Sequence, residues 1–564
     1  MYCYTDDYGV LDAIIAERGS PGAIHCSSRK ALMSTVHDAT YEILRSLGMT
    51  TIFGNPGSNE LPFLDRLPSD FRYVLALHEG AGLAMADGYC QVTGEPVLVS
   101  LHAAAGVGQA MGTLVNAQVL GTPLVIMSGQ QVRSMLTLEG QLTSRNAPDL
   151  PRPLVKWSFE APDAASVPAV IARAAHFASA APSGPVFVSI PLDDWRAEAN
   201  DDQTSSLMGR HVAAKPIPTQ DELKALADHL SAARNPLFVM GADVDTELGW
   251  KAGVKLSVIC GAPVFLVSEP ARIPFPTKHP NFLGTLSTTI SGVCAQLAGY
   301  DLVIVFGGPA FRYHAWTAGA YLPEGTALVM VTADADQAAR APMGDAIVGD
   351  PTMAMEQLIP LIKRTPAKIQ PKDFAPRVPS SGSKVTVEEF NRVVASVCPP
   401  ETVFTTESPS LGSWWETVAI TRPKSFFCGA GGGLGFALPA AVGVSLAHGK
   451  RPVVALVGDG SANYSITGLW TAAQHKLPCT FVIVRNGVYE ALKDFGSFLN
   501  TQVVAGMDLP GIDFVSLAAG YGLPARRVTS PGAFAEALAS AIAGGDPSLI
   551  EVEVEPANSG MFHK

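Results

Sequence analysis

The chain has 564 residues, 47% hydrophobic and 16% charged, with a formal charge of −12. That composition excludes a disordered or collagen-like chain. The acid surplus argues against a general nucleic-acid binder, whose phosphate partner needs surplus Lys and Arg.

Residues 1–32 carry early acids and no basic stretch leading into a long apolar run, so they read as an N-terminal extension rather than a secretory signal. Eight cysteines form no C-x-x-C pair, and no run reaches the roughly 18 apolar residues of a membrane span. A soluble, reduced cytoplasmic protein is expected, with no membrane or nucleic-acid partner.

From Met33 a helix is predicted over STVHDATYEILRSLG, capped by Ser34 or Thr35. Short β-branched runs then alternate with helix-length segments. The first series is 51–54, 73–77, 96–102, 123–129 and 185–191. The second is 236–241, 263–269, 301–307 and 327–334, and the third is 403–408, 452–460, 479–487 and 548–556. Runs of this kind, bounded by Gly, Pro or Asp, predict parallel α/β sheets covered on both faces. Polar linkers around 196–220 and 363–384 divide the series. Three doubly wound α/β domains are expected, at 33–205, 215–365 and 384–564, with the first and third able to share a fold.

The strongest local signal is Gly458-Asp459-Gly460, ending a strand run, followed one helix later by Asn486-Gly487 at the end of the next. If the two strands are neighbours, their C-terminal ends meet at the edge where open α/β sheets bind ligands. Asp459, the Asn486 amide oxygen and the Val488 carbonyl then form a hard oxygen site short of ligands, which suits Mg²⁺ shared with a diphosphate. A competing possibility is that Asp459 merely caps a helix beginning near Ser461. The Gly429–Gly435 stretch completes no G-x-G-x-x-G register, His78-Glu79 opens no H-E-x-x-H, and no G-x-S-x-G elbow is present.

GDGSANYS at 458–465 with NG at 486–487 resembles the thiamin diphosphate (ThDP) and Mg²⁺ motif of ThDP-dependent 2-oxo acid decarboxylases. Segments 53–63, 100–108, 150–158, 275–280, 311–314, 339–348 and 432–441 resemble the benzoylformate decarboxylases of that family. The resemblance implies pyrimidine-binding, middle and diphosphate-binding domains in that order. It also implies a site between two subunits, hence a homodimer at least and a homotetramer as the usual assembly. Glu79 matches the glutamate that activates the cofactor's pyrimidine, Leu434 the residue that bends the cofactor, and Gly432 the carbonyl facing the pyrimidine amine. Ser410 and Ser461 are implied as diphosphate partners, with Gly458, Gly460 and Tyr489 around the cofactor. The resemblance also implies that Ca²⁺ could substitute for Mg²⁺. Ser58, His102 and His279 are implied to surround a small 2-oxo acid, while His78 is structural.

The chain departs from the benzoylformate pattern in several places. Arg485 replaces the first of two asparagines, Glu490 and Asp494 follow the metal motif, Gln141 stands beside Leu142, and Pro409 replaces a threonine. Phe427, Ala491, Leu492 and Phe495, with Gln141 and Leu142, still imply an apolar pocket. The backbone around Asp149, Leu150 and Arg152 is a candidate for holding a second surface cation. The implied activity is decarboxylation of an aromatic 2-oxo acid, benzoylformate first. Rival activities are a carboligase or lyase on 2-hydroxy ketones, and a non-catalytic ThDP-binding protein that would not need Glu79.

Overall fold

Because each strand run is apolar on both sides, it must be covered on both faces. In the computed structural model these runs form three six-stranded parallel sheets with helices on both sides. Residues 34–213, 215–363 and 385–556 are described. The 1–32 extension and most of the second linker lie outside them.

The first sheet holds β1 (Thr51–Gly54), β2 (Arg72–Leu75), β3 (Val97–Leu101), β4 (Leu124–Gln130), β5 (Trp157–Glu160) and β6 (Val186–Pro191), in the order β2-β1-β3-β4-β6-β5. The second holds β7 (Pro236–Met240), β8 (Val264–Leu266), β9 (Phe282–Thr285), β10 (Leu302–Phe306), β11 (Ala327–Thr332) and β12 (Asp345–Val348), ordered β12-β11-β10-β7-β8-β9. The third holds β13 (Val403–Glu407), β14 (Phe426–Cys428), β15 (Val453–Gly458), β16 (Cys479–Arg485), β17 (Ala525–Val528) and β18 (Ser548–Glu553), ordered β14-β13-β15-β16-β18-β17. The first and third sheets therefore share one topology, and the second has another.

Every strand run read from the sequence is a strand. The five strands without a predicted run are β5, β9, β12, β14 and β17, and each lies at a sheet edge. An edge strand has one hydrogen-bonded neighbour and needs no long apolar run. The polar linker near 196–220 also departs from expectation, since Asp201–Leu207 is a helix. Asn200 caps it by accepting from the Gln203 N–H at 3.0 Å, and Asp201 and Asp202 sit in its first turn, where a helix dipole favours acids. The predicted first helix runs over Val36–Ser46, capped by Thr35 with Asp38 completing the capping box.

The third sheet shares one apolar core with the second and another with the first. In the latter, the Glu79–Thr93 helix crosses the Ala437–His448 helix at close range. A Cβ on Gly443 would lie 1.8 Å from the Met85 carbonyl oxygen, and one on Gly88 would lie 2.5 Å from that of Ala440. Backbone on both sides cannot yield cheaply. Gly443→Ala is expected to destabilise the protein by about 1–3 kcal/mol, the usual cost of overpacking. Urea unfolding checks this, and a parent-like midpoint would contradict the crossing.

Candidate active site

Three adjacent strands of the first sheet deliver candidates to one edge. β2 leads to Glu79, β1 to the turn from Asn55 to Glu60, and β3 to His102, all at C-terminal strand ends. His78 caps the helix that starts at Glu79, its Nδ1 accepting from the Gly80 N–H at 3.1 Å, in keeping with a structural part. Glu79 is 7% exposed, and its carboxylate accepts a long 3.5 Å hydrogen bond from the Asn55 amide.

His102 is oriented by a residue that motif reading passed over. Its Nδ1 lies 2.8 Å from the Glu60 carboxylate, so Nδ1 carries the proton and Nε2 is left to face outward. Glu60 is 1% exposed and also accepts from the N–H groups of Gly129 at 2.7 Å and Ala103 at 3.3 Å. Its sequence signal was the acid inside the Ser58–Asn59–Glu60 turn. Ala103 follows His102 at φ 44°, a left-handed conformation that L residues seldom adopt.

The Gly57–Ser58 turn lies directly against the imidazole. A Cβ on Gly57 would sit 1.9 Å from His102 Nδ1, so only glycine leaves the ring its place. Gly57→Ala is expected to lower kcat/KM by about 10²-fold through displacement of the ring. Steady-state kinetics measure this, and unchanged kcat/KM would show that the ring's position is irrelevant. Ser58 is exposed, and the Asn59 amide donates to the Leu142 carbonyl at 3.4 Å. Gln141 and Leu142 therefore stand beside Ser58, with Leu142 39% exposed.

The third sheet builds a second cluster. β15 and β16 are direct neighbours, pairing Gly458 with Val484. Asp459 Oδ2 accepts from the Gly487 N–H at 2.7 Å, bridging the two strand ends, and its Oδ1 accepts from Gly460 N–H at 2.8 Å. The helix here spans Asp459–Ala462 with Gly458 at its cap, so Asp459 lies within it rather than capping it. Asn486 Oδ1 accepts from the Val488 N–H at 3.2 Å, and the Tyr489 ring packs over Gly460. Ser408 and Ser461 hydroxyls both approach Gly458, and Ser408 lies 3.4 Å from the Ser410 hydroxyl.

Among the described residues no three His, Cys, Asp or Glu side chains gather as a metal cage. One buried carboxylate, one amide oxygen and a carbonyl remain, a hard oxygen donor set that leaves positions for phosphate oxygens. Asp459 is 4% exposed and burial pushes its carboxyl up, opposed by the N–H groups of Gly487, Gly460 and Asn486. The donor set fits Mg²⁺. Gly432 fits a close ligand approach, since it has φ 77° with open space around it.

The loop bearing Gly432 and Leu434 is pinned from two sides by residues that motif reading passed over. Asn116 of the first domain accepts from Gly431 N–H at 2.8 Å and donates to the Gly433 carbonyl at 2.7 Å. Buried Glu407 accepts from the N–H groups of Gly435 at 2.8 Å and Ala437 at 3.0 Å, while burial pushes its carboxyl up to about 7.

The Glu490–Phe498 helix follows the metal motif and carries Ala491, Leu492 and Phe495, with Leu492 52% exposed. Glu490 and Asp494 turn to its inner side, where Asp494 is buried. Arg485 is drawn away toward β18, 3.3 Å from buried Glu551 and 3.0 Å from Glu553, so replacing an asparagine there leaves Asn486 in place.

Three further candidates have local partners of their own. His279 is held locally, its Nδ1 accepting from Asn281 N–H at 3.1 Å and its ring edge-on to Phe275 at 5.2 Å; burial lowers its pKa. A further imidazole, that of His314, packs on the Glu490–Phe498 helix, 5.4 Å from the Phe495 ring. The signal was present, because His314 ends the FRYH segment just past β10 and a strand's C-terminal end is where sites form. Phe427 is fully buried, with the Arg272 guanidinium 4.5 Å from its ring centroid. The Asp149 carboxylate is paired with Arg152 at 2.8 Å, a side-chain contact, whereas the second cation was expected on the backbone of this turn.

Comparisons with known proteins converge on one family. The N-terminal TPP binding domain of thiamine pyrophosphate enzymes matches residues 34–148, their central domain 223–358, and their C-terminal TPP binding domain 410–552. The chain is 45% identical over 527 residues to a benzoylformate decarboxylase of Pseudomonas aeruginosa, covering 93% of this chain and 99% of that one. A solved thiamine diphosphate-dependent 4-hydroxybenzoylformate decarboxylase of Rhodococcus jostii superposes with a TM-score of 0.91 at 45% identity, covering 93% of this chain and 100% of that one. A benzoylformate decarboxylase structure from Polynucleobacter necessarius gives a TM-score of 0.89 at 37% identity, covering 93% and 99%.

Proposed function

The chain belongs to the thiamine pyrophosphate enzyme family as a ThDP-dependent carboxy-lyase, and from that premise we propose that its substrate is an aromatic 2-oxo acid, benzoylformate first. The observation that carries the substrate class is the imidazole of His314 against the Phe495 ring, on the helix that directly follows the metal motif. An apolar wall with one proton-bearing group beside it suits a planar ring next to a 2-oxo carboxylate.

ThDP, when bound, supplies the electron sink that cleaving the carboxylate needs. The chain's own residues do the rest. Asp459, Asn486 and the Val488 carbonyl would hold Mg²⁺, with Ser410, Ser461 and the glycines 458 and 460 around the diphosphate. Glu79 would hold a proton at the pyrimidine ring, and Gly432 and Leu434 would fix the cofactor's shape. Ser58 would anchor the substrate's carboxylate. His102, aligned by Glu60, and His279, with His314 beside the Phe495 ring, would move protons at the reacting carbon.

The hydrogen-bond partners of Glu79 and His102 lie in the first domain, and those of Asp459 in the third. Leu142 on one cluster and Leu492, Leu499 and Val504 near the other are exposed apolar side chains. These facts support a homodimer in which each site joins the two clusters from different subunits, with a homotetramer built from two such dimers.

Burying an aromatic ring in place of a methyl group yields roughly 2–3 kcal/mol. Even partly realised in the transition state, this gives benzoylformate a kcat/KM at least about tenfold above that of pyruvate. Equal or better use of pyruvate would move the assignment to aliphatic acids.

A further inference from the structure

Glu269 lies three residues beyond β8, and its carboxylate is 3.0 Å from His314 Nδ1. Its backbone is left-handed, φ 48°, a conformation that favours glycine. A charged residue kept where glycine would be less strained indicates that its side chain is used. Both partners are partly buried, with side-chain exposures of 41% for His314 and 30% for Glu269. The pair joins the segments that follow β8 and β10, and the His314 ring meets Phe495 of the Glu490–Phe498 helix.

We propose that Glu269 is a positioning residue that fixes the His314 ring beside Phe495 and keeps it in its proton-donating form. This rests on the assignment of His314 to the reacting centre made above. The hydrogen bond from Glu269 raises the His314 pKa, while burial and the nearby Arg312 act in the opposite direction. Arg312 itself is tied to the Ala430 carbonyl of the Gly-rich loop. The other ionisable groups on the elements around this pair are Cys428, which faces Glu269 and Arg312, and Glu490, Lys493 and Asp494 on the pocket helix. Lys493 is engaged by Asp508 at 3.1 Å.

The sign follows from linkage. A raised pKa keeps the imidazolium to higher pH, so activity that needs the proton is lost as pH rises through that value. Without the carboxylate, the alkaline limb moves to lower pH. The test uses the ThDP- and Mg²⁺-loaded protein and two variants. Glu269→Gln removes the charge and keeps the strained backbone. Glu269→Gly removes the side chain and relieves the strain, so a folding defect cannot explain both.

The His314 imidazole is titrated by ¹⁵N NMR, assigned with His314→Asn, beside the pH profile of benzoylformate kcat/KM. In both variants the titration and the alkaline limb are expected to move together to lower pH. Above the shifted limb, kcat/KM should fall by at least about fivefold, a small part of the roughly 10²–10⁴ that a positioned acid or base supplies. An unmoved titration would overturn the pairing itself. A moved titration with an unmoved kinetic profile would overturn the role of His314 in the reaction, and with it Glu269 as its positioning residue.

Discussion

Glu79→Gln is expected to bind ThDP and Mg²⁺ as the parent does and to lose turnover by about 10²–10⁴, the range that a positioned acid or base supplies. Glu79 opens its helix at the end of β2 and is 7% exposed, so the carboxylate is confined and faces little water. The hydrogen bond its carboxylate accepts from Asn55 is long at 3.5 Å, which leaves the group available to a ligand. Glutamine keeps the volume and that contact but cannot hold an exchangeable acid proton, so the fold should survive. Hydrogen–deuterium exchange at the cofactor's C2 position reads the defect apart from substrate binding. Parent-like exchange and turnover would remove Glu79 from the activating role.

Asp459→Ala is expected to abolish retention of ThDP at concentrations that saturate the parent. The substitution removes the single carboxylate of the cation site and leaves the diphosphate without its bridging charge. It also strips the Gly487 N–H of its 2.7 Å acceptor, and an unsatisfied buried N–H costs about 1–3 kcal/mol. Asp459→Asn separates the two effects. It keeps an acceptor for Gly487 and the packing of the turn, yet offers a neutral ligand, so it should fold like the parent and still bind ThDP weakly in Mg²⁺. Calorimetry that finds parent-like ThDP affinity in both variants would contradict the site.

The sequence made the central strands legible because each is apolar on both faces, as in VVALV and TFVIV. Strands such as β12, DAIV, escaped because an edge strand with exposed positions carries no such run. The meeting of Asp459 and Asn486 was legible because these residues follow the chain. Asp459 and Asn486 end consecutive strands, and parallel neighbours with one crossover bring those ends together.

Side-chain partnerships across loops and domains were not legible. Glu60 reaches His102 over 42 residues, Asn116 reaches the Gly-rich loop over more than 300, and nothing periodic marks either. The surroundings of the histidines were illegible for a related reason. His279 lies in a Pro-bounded loop, and nothing in the sequence marks that its Nδ1 accepts from the Asn281 N–H. His314 reaches Phe495 only because the second domain packs on the third. Phe427 and Ala491 read alike as apolar, and only burial separates a core ring from a helix facing the pocket.

Product analysis on the purified chain, stripped of cofactor and then reloaded with ThDP and Mg²⁺, tests the central claim most directly. With benzoylformate as the only substrate, CO₂ and benzaldehyde are expected in equal amounts, dependent on both additions, and in clear excess over CO₂ from pyruvate. Absence of CO₂ from either acid in the loaded protein, with benzoin cleaved to benzaldehyde under the same conditions, would contradict the decarboxylase account and favour a lyase on the same scaffold.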